Sequence, residues 1–400
     1  MYRWGAMFLA VPSDTQSETL PQGAEGFSGR IKESVPEEFG LTRTGYAARA
    51  RGERRGTVPA RGRILFICGS VNQTTQLLQV ARELPEYEHR FSPYYGPSYV
   101  SWLRELGLIE FSIGGKRLRE RALHCMVAHA APVDVDGRAG GYDLVVSCCD
   151  LVVPPNVRNA PMVLVQEGIL DPPTKVLQLI QRFPQQVPRW LAGTAATGLS
   201  GAFDRFCVAS RGYLEHFADL GVPRQRLALT GIPNFDDCES YARYAFPHRN
   251  YVLVCTSDGR ETFKRDDRAA LIRRALGIAG SRKLIFKLHP NEDAVRAQSE
   301  IHALAPRALV YRSGFAEGMV ARADALVTEW STLALVGVAL GKPVYSNYSS
   351  EELRALCPLQ NRCAAALIAD QCREVLGELP LGLARKRYAS LRTEHLTAAR

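Results

Sequence analysis

The chain has 400 residues, 46% hydrophobic and 23% charged, with 50 Lys+Arg against 41 Asp+Glu and a net charge of +9. This length predicts two domains with a core in each, and the apolar fraction excludes a disordered chain. No run reaches ~18 uninterrupted apolar residues, so no membrane-spanning helix is expected. The modest positive excess fits an anionic ligand, an acidic polymer or a membrane surface without choosing among them.

Residues 1–62 mix Gly, Pro, Ser, Thr and charge with no sustained period. Between Arg43 and Arg63 stand seven Arg and one acid, Glu53. This reads as a flexible basic arm, with peripheral contact to the inner face of a membrane as its sharper role. The apolar piece Met7–Val11 is too short for a signal peptide. The ten Cys include no CxxC pair, and most sit in apolar settings. Free thiols, a reducing compartment and no structural zinc are therefore expected, with the cytoplasm as location.

Order is expected from Arg63, where a short apolar strand ends in Gly69-Ser70 and a helix carries Leu77, Leu78, Val80, Ala81 and Leu84. Strands follow at 142–147, 161–166, 205–210 and 227–231, with a helix over 213–220. The pattern then restarts: strands at 251–256, 283–288, 308–311, 325–328 and 342–345 alternate with helices near 268–276, 314–323 and 333–340. Strand, small-residue turn and helix in alternation define an α/β class. Two Rossmann-like doubly wound parallel-sheet domains facing a cleft are expected. They would be an N-terminal domain over 63–242 and a C-terminal domain over 243–400 that includes the last helices.

Ligands of such sheets bind at the carboxyl ends of the strands, and the chemistry-bearing residues cluster there. Thr328-Glu-Trp-Ser-Thr332 ends one strand and starts a helix, so Ser331 and Thr332 are candidates to hold phosphate, with Glu329 beside them. Plain capping by Ser331 is the alternative. His289, held by Pro290 and followed by Asn291, ends another strand and is a candidate to stabilise or protonate a leaving phosphate. Glu167 follows an apolar strand and is a candidate base, with Gly168 giving close approach to a ligand. Gly69, Ser70, Gly231, Thr256 and Ser257 lie at further strand ends and complete the candidate binding set. GxGxxG and P-loop patterns are absent, no strand-end DxD occurs, and no metal or other cofactor is expected.

At these residues the chain resembles the nucleotide-sugar superfamily with the GT-B fold. Glu167-Gly168, His289-Pro290 and Ser331-Thr332 are similar to three motifs of bacterial polysialyltransferases and related capsule enzymes. Thr328-Glu-Trp-Ser-Thr332 is similar to the Thr-Asp-Tyr-Ser-Ser of CDP-glycerol glycerophosphotransferases. Gln166-Glu-Gly168, Thr230-Gly-Ile-Pro-Asn234, His289-Pro-Asn291 and Gly341-Lys-Pro343 resemble motifs of UDP-N-acetylglucosamine 2-epimerases in order. Against the epimerase, Ser147-Cys-Cys-Asp150 stands where that family has His-Gly-Asp-Thr, and Thr256-Ser-Asp-Gly-Arg260 lacks a His.

The resemblance implies a metal-independent transferase. It would move a sugar or sugar-like phosphate group from a nucleotide-activated donor to a hydroxyl on a glycan, a lipid-linked group or a small molecule. Glu167 and His289 would be its catalytic pair. An epimerase and a non-catalytic nucleotide-binding homologue are the alternatives. Nucleic acid is not an expected partner, because no aromatic-basic interleaving accompanies the arm.

Overall fold

The computed structural model describes residues 60–378, except 111, 185 and 262–265. All but the last three residues of the expected basic arm lie outside the described residues. Eleven strands among the described residues form two sheets, and every strand pair in both is parallel.

The first sheet has the order β2-β1-β3-β4-β5-β6. Its strands are β1 (Arg63–Cys68), β2 (Glu88–Pro93), β3 (Leu144–Ser147), β4 (Met162–Val165), β5 (Arg205–Val208) and β6 (Leu227–Leu229). The second has the order β11-β10-β7-β8-β9, from β7 (Tyr251–Cys255), β8 (Lys283–Lys287), β9 (Leu309–Tyr311), β10 (Ala325–Val327) and β11 (Val344–Tyr345). The α/β class with two parallel sheets is therefore as expected.

β1 shows why both faces of a sheet are covered. Ile64, Phe66 and Cys68 enter one apolar cluster, whereas Leu65 and Ile67 enter another. Side chains alternate across a strand, so an unbroken apolar run demands helices on both sides. On the first face lie α1 (Val71–Arg82) and α3 (Lys116–Ala128). The Leu65 cluster continues through Phe206 and Phe235 to Leu253, Ile285 and Leu326 of the second sheet, so one core joins the halves.

One strand and three helices of the first half escaped the sequence patterns. β2 is a polar edge strand ending in Pro93, with no apolar run to betray it. α2 (Ser98–Glu105) and α4 (Lys175–Arg182) are excursions of eight residues each. α3 hides its buried Ala122, Cys125 and Met126 in a strongly charged segment.

The boundary drawn at 242–243 does not describe how the chain ends. α11 (Ala364–Val375) crosses back and buries Ile368, Ala369 and Cys372 among Phe66, Leu77 and Val163 of the first half. Asp236, in the linker, accepts the Ala364 amide at 2.9 Å and so fixes the start of this helix. The last described helix therefore belongs to the first core. All ten Cys lie among the described residues and none is in a disulfide. No described helix is long and apolar enough to cross a membrane.

Candidate active site

Glu167 leaves the end of β4 and meets the first turn of α1. Ser70 Oγ donates to Glu167 Oε1 at 2.9 Å, Asn72 Nδ2 to the same oxygen at 3.2 Å, and Gln73 Nε2 to Oε2 at 2.6 Å. Ser70 also caps α1, accepting the Gln73 amide at 3.1 Å. A carboxylate offers about four acceptor positions, so one remains on Oε2 for an incoming hydroxyl.

The turn itself is pinned from beneath. Gln166 is buried; its amide group donates to Gly168 O and accepts the Ala209 amide, both at 2.9 Å. Gln76 Nε2 donates to Gln166 O at 2.9 Å. Asn72 in turn accepts from Asn234 of the interdomain linker at 2.7 Å. Asn72, Gln73 and Gln76 were not singled out in the sequence, and Asn234 entered only as the end of the Thr230–Asn234 motif. The available signal was a polar run on the inward side of an apolar helix, with Gln73 and Gln76 almost fully buried.

Gly69 does not open toward a phosphate. A Cβ there would lie 2.1 Å from Ile113 Cγ1, so glycine is needed because the 112–115 loop covers the turn. Gly231 has φ +85° and faces Leu359, Asn361 and Ala364, in the linker beside α11. The Gly69 amide instead donates to Gln73 Oε1 at 2.7 Å and so orients one of the Glu167 donors, Gly231 stands apart in the linker, and Ser70 serves as cap and carboxylate partner.

On the second half the candidate residues sit at the ends of β7, β8 and β10. His289 is half-buried, and its Nδ1 accepts the Asn291 amide at 3.3 Å and lies 3.5 Å from Asp258 Oδ2. Burial holds the imidazole below its ordinary value; Asp258 and Glu292 oppose this, while Lys287 and Arg121 reinforce it. The Asn291 bond assigns the ring proton of the neutral form to Nε2. Asn291 also donates to Asp258 at 3.1 Å and accepts from Arg121 of α3 at 3.1 Å, a contact between the halves. Pro290 is exposed.

Thr256 is buried, and its hydroxyl donates to Glu292 Oε2 at 2.6 Å while accepting the His289 amide at 3.0 Å. It positions the His289 turn and has no free group for a nucleotide. Behind it lies a buried charge cluster of three residues that the sequence patterns did not reveal. Arg268, 2% exposed, reaches Glu292 at 2.5 Å and Asp266 at 3.1 Å. Burial opposes the guanidinium charge, but Glu292 and Asp266 hold it above its ordinary value. Ser257 contributes its carbonyl to Arg268 at 3.4 Å. Glu329 is pushed up by burial and by Asp266, with Arg268 opposing.

Ser331 Oγ accepts the Leu333 amide at 3.3 Å as a local turn bond, while the N-cap position falls to Thr332, whose side chain makes no capping bond. The helix it precedes, α9 (Leu333–Ala339), has only seven residues. Thr332 Oγ1 instead accepts the Ile169 amide of the first half at 3.2 Å. The Glu167-Gly168 turn and the Ser331-Thr332 turn are therefore neighbours, whereas His289 belongs to the separate β8 end.

No family model matches the chain, and no curated protein matches it. Solved structures do. A Listeria monocytogenes protein assigned as a UDP-N-acetylglucosamine 2-epimerase aligns at TM-score 0.52 and 11% identity, over 80% of this chain and 97% of that one. The S. aureus MnaA structure with UDP aligns at TM-score 0.51 and 11% identity, over 80% and 98%. The wall teichoic acid polymerase TagF aligns at TM-score 0.40 and 10% identity, over 84% and 89%. For the first two, at such identities, the likeness is one of fold: this chain has the two-sheet GT-B architecture that the resemblance implied.

Proposed function

We propose that the chain is a metal-independent transferase acting on a nucleotide-activated sugar or sugar-like phosphate donor. The observation that carries this reading is the Glu167 carboxylate, oriented by three donors and placed beside the Thr332 turn of the opposite half. A base fixed at one wall of a cleft, with candidate phosphate contacts on the other, suits attack by a hydroxyl acceptor.

The donor lies on the second half, its phosphates against Ser331, Thr332 and His289 and its remaining polar groups toward Glu329 and Ser257. Glu167 takes the proton of the acceptor hydroxyl. The acceptor oxygen bonds to the donor carbon or phosphorus, the bond to the nucleotide phosphate breaks, and the nucleotide leaves. Neutral His289 donates its Nε2 proton as a hydrogen bond to the leaving phosphate and stabilises its growing charge. Asn291, itself anchored by its Nδ2 bond to Asp258, holds the ring in that orientation.

The state of Asp150 favours transfer over epimerisation. It is the acid that would match the epimerase family, yet it is fully buried and bonded to the Gly198 and Ser200 amides at 3.0 and 3.1 Å. A thermal-shift screen with UDP, CMP, CDP and GDP compounds would identify the nucleotide. Incubating the stabilising donor with and without hydroxyl acceptors follows. Acceptor-dependent nucleotide release supports the transferase; a rearranged sugar from donor alone would replace it with the epimerase. Nucleotide binding with neither product would leave a non-catalytic binder.

A further inference from the structure

Asn234 stands in the linker between the two sheets and presents its side-chain amide to one face of α1. Its Nδ2 lies 2.7 Å from Asn72 Oδ1, 2.9 Å from Asn72 O and 3.0 Å from Thr75 Oγ1, and its Oδ1 accepts from Gln79 Nε2 at 2.7 Å. Asn72, Thr75 and Gln79 follow one another at i, i+3 and i+7, so they share that face.

These bonds fix which way each side-chain amide points. Asn72 O is a main-chain carbonyl and can only accept, so the Asn234 group that faces it is the NH2. The same NH2 meets the side-chain oxygen of Asn72, which turns the Asn72 NH2 toward Glu167 Oε1 at 3.2 Å. Reversing Asn72 would set two NH2 groups against each other on one side and two oxygens on the other. The hydrogen bond that Glu167 receives from Asn72 is therefore decided one residue further out, at Asn234.

Asn234 is in turn held from the second half. The Tyr241 hydroxyl donates to Asn234 O, and the Tyr241 ring meets that of Phe315 edge-on, with centroids 5.4 Å apart. Phe315 precedes α8 (Ala316–Arg322), which leads into β10 of the second sheet. Gln79, Asn234, Tyr241 and Phe315 also line a cavity of about 330 Å³, so the linker has room to shift at this point.

We propose that Asn234 is a positioning residue for Glu167. It sets the Asn72 side-chain amide and, through Tyr241 and Phe315, ties the orientation of the base to the placement of the second half. This rests on the transferase reading, in which Glu167 takes the acceptor proton while the donor lies on that second half. Glu167 then has its full set of donors only when the two halves stand together, which withholds an oriented base from water in an open cleft.

The test pairs acceptor-dependent nucleotide release with urea unfolding of the full chain, using whichever UDP, CMP, CDP or GDP compound shifts thermal unfolding most. Asn234→Asp keeps an acceptor for Gln79 but sets oxygen against both Asn72 oxygens, so the Asn72 side-chain amide reverses. Its kcat should fall about 10–100-fold, while donor KM and the nucleotide-induced thermal shift stay within about twofold of wild type. Asn234→Ala leaves the Asn72 group unset rather than reversed and should lose about 3–10-fold. In an Asn72→Ala background neither variant should lower kcat further, because the route to Glu167 is already cut. Tyr241→Phe should lower kcat in the same direction; wild-type kcat in it overturns the tie to the second half. Wild-type kcat in folded Asn234→Asp or Asn234→Ala overturns the proposal, as does an undiminished loss in the Asn72→Ala background. A merely structural role would lower the urea midpoint and leave kcat alone. The urea midpoints of Asn234→Ala and Glu167→Ala should fall less together than the sum of each alone, and additively in the Asn72→Ala background. Additive midpoints with Asn72 intact overturn the proposal without any turnover being measured. Absence of acceptor-dependent release from the wild type fails the transferase reading instead, and the urea cycle still judges Asn234.

Discussion

The amide of Ile169 donates to the hydroxyl of Thr332 at 3.2 Å, and a Cβ on neighbouring Gly168 would stand 2.6 Å from that same oxygen. The candidate base and the candidate donor turn thus approach closely because residue 168 has no side chain. Gly168→Ala should force the turns apart and lower kcat/KM by about 10–100-fold, since misplacement of about 1 Å costs that much. Thr332→Ala removes the close oxygen and leaves Cβ as the nearest Thr332 atom, at 3.6 Å. The double variant should therefore be more active than Gly168→Ala alone. Steady-state kinetics of the cycle checks the coupling; strict additivity would mean the contact is unimportant.

Glu167→Gln should reduce transfer by about 10²–10⁴-fold, the usual contribution of a positioned base. Nucleotide thermal shifts should persist, because the nucleotide is assigned to the other half. The new amide would also present N–H to one of its former donors, costing about 1 kcal/mol of stability. Normal turnover in this variant would rule out the assigned role.

His289→Ala should weaken both nucleotide binding and transfer, read as a smaller thermal shift and a lower kcat/KM. The pH dependence follows from the depressed imidazole. Folding favours the neutral ring, so its contribution is present above the ordinary value of about 6.5 and is lost as pH falls. The stability of the wild type should decline on acidification below that point, and His289→Ala should flatten that part of the profile. Denaturant midpoints from pH 5 to 8 provide the measurement.

Arg268→Met should destabilise the protein by about 3–5 kcal/mol, because it strands two buried carboxylates without their cation. Glu292 holds Thr256, and Thr256 holds the His289 amide. Any folded fraction should therefore bind nucleotide more weakly as well. Urea unfolding and thermal shifts measure the two effects.

Asp236 is pushed up to about 6, chiefly by burial, while its carboxylate accepts the Ala364 amide. The raised value makes the folded state hold its proton longer than the unfolded chain. Stability from this group is thus full below about pH 4 and is lost as pH rises through about 6. Asp236→Asn keeps an acceptor for the helix start without the buried charge. Its stability relative to wild type should rise between pH 4 and 7, by about 1–3 kcal/mol at most. A constant difference across that range would show that the carboxylate titrates as it does in the unfolded chain.

Much of the fold was legible because buried parallel strands read as apolar runs. Arg63–Cys68, Tyr251–Cys255 and Lys283–Lys287 each announce themselves with three or more consecutive apolar residues. β2 did not, since an edge strand pairs on one side only and tolerates Glu88, His89 and Arg90. Glu167, His289 and Thr332 could be named because polar residues directly after such runs fall at the sheet edge that faces ligands. The function of Thr256, Gly69 and Gly231 could not be read this way. A strand-end position leaves open whether a group faces the cleft, a covering loop or the linker.

The sequence by itself determined the two-sheet α/β architecture and the set of strand ends from which a site could be built. Local periodicity is enough for that, because each strand and helix is written in its own neighbourhood. The tertiary structure decided that Glu167 is held from α1, that Thr332 meets Ile169, and that Arg268 supports the His289 turn through Glu292. It also returned the final described helix to the first core. These contacts join residues from about 24 to nearly 300 positions apart in the chain, and no local pattern encodes them; they exist because closing the shared apolar core brings the sheet edges together.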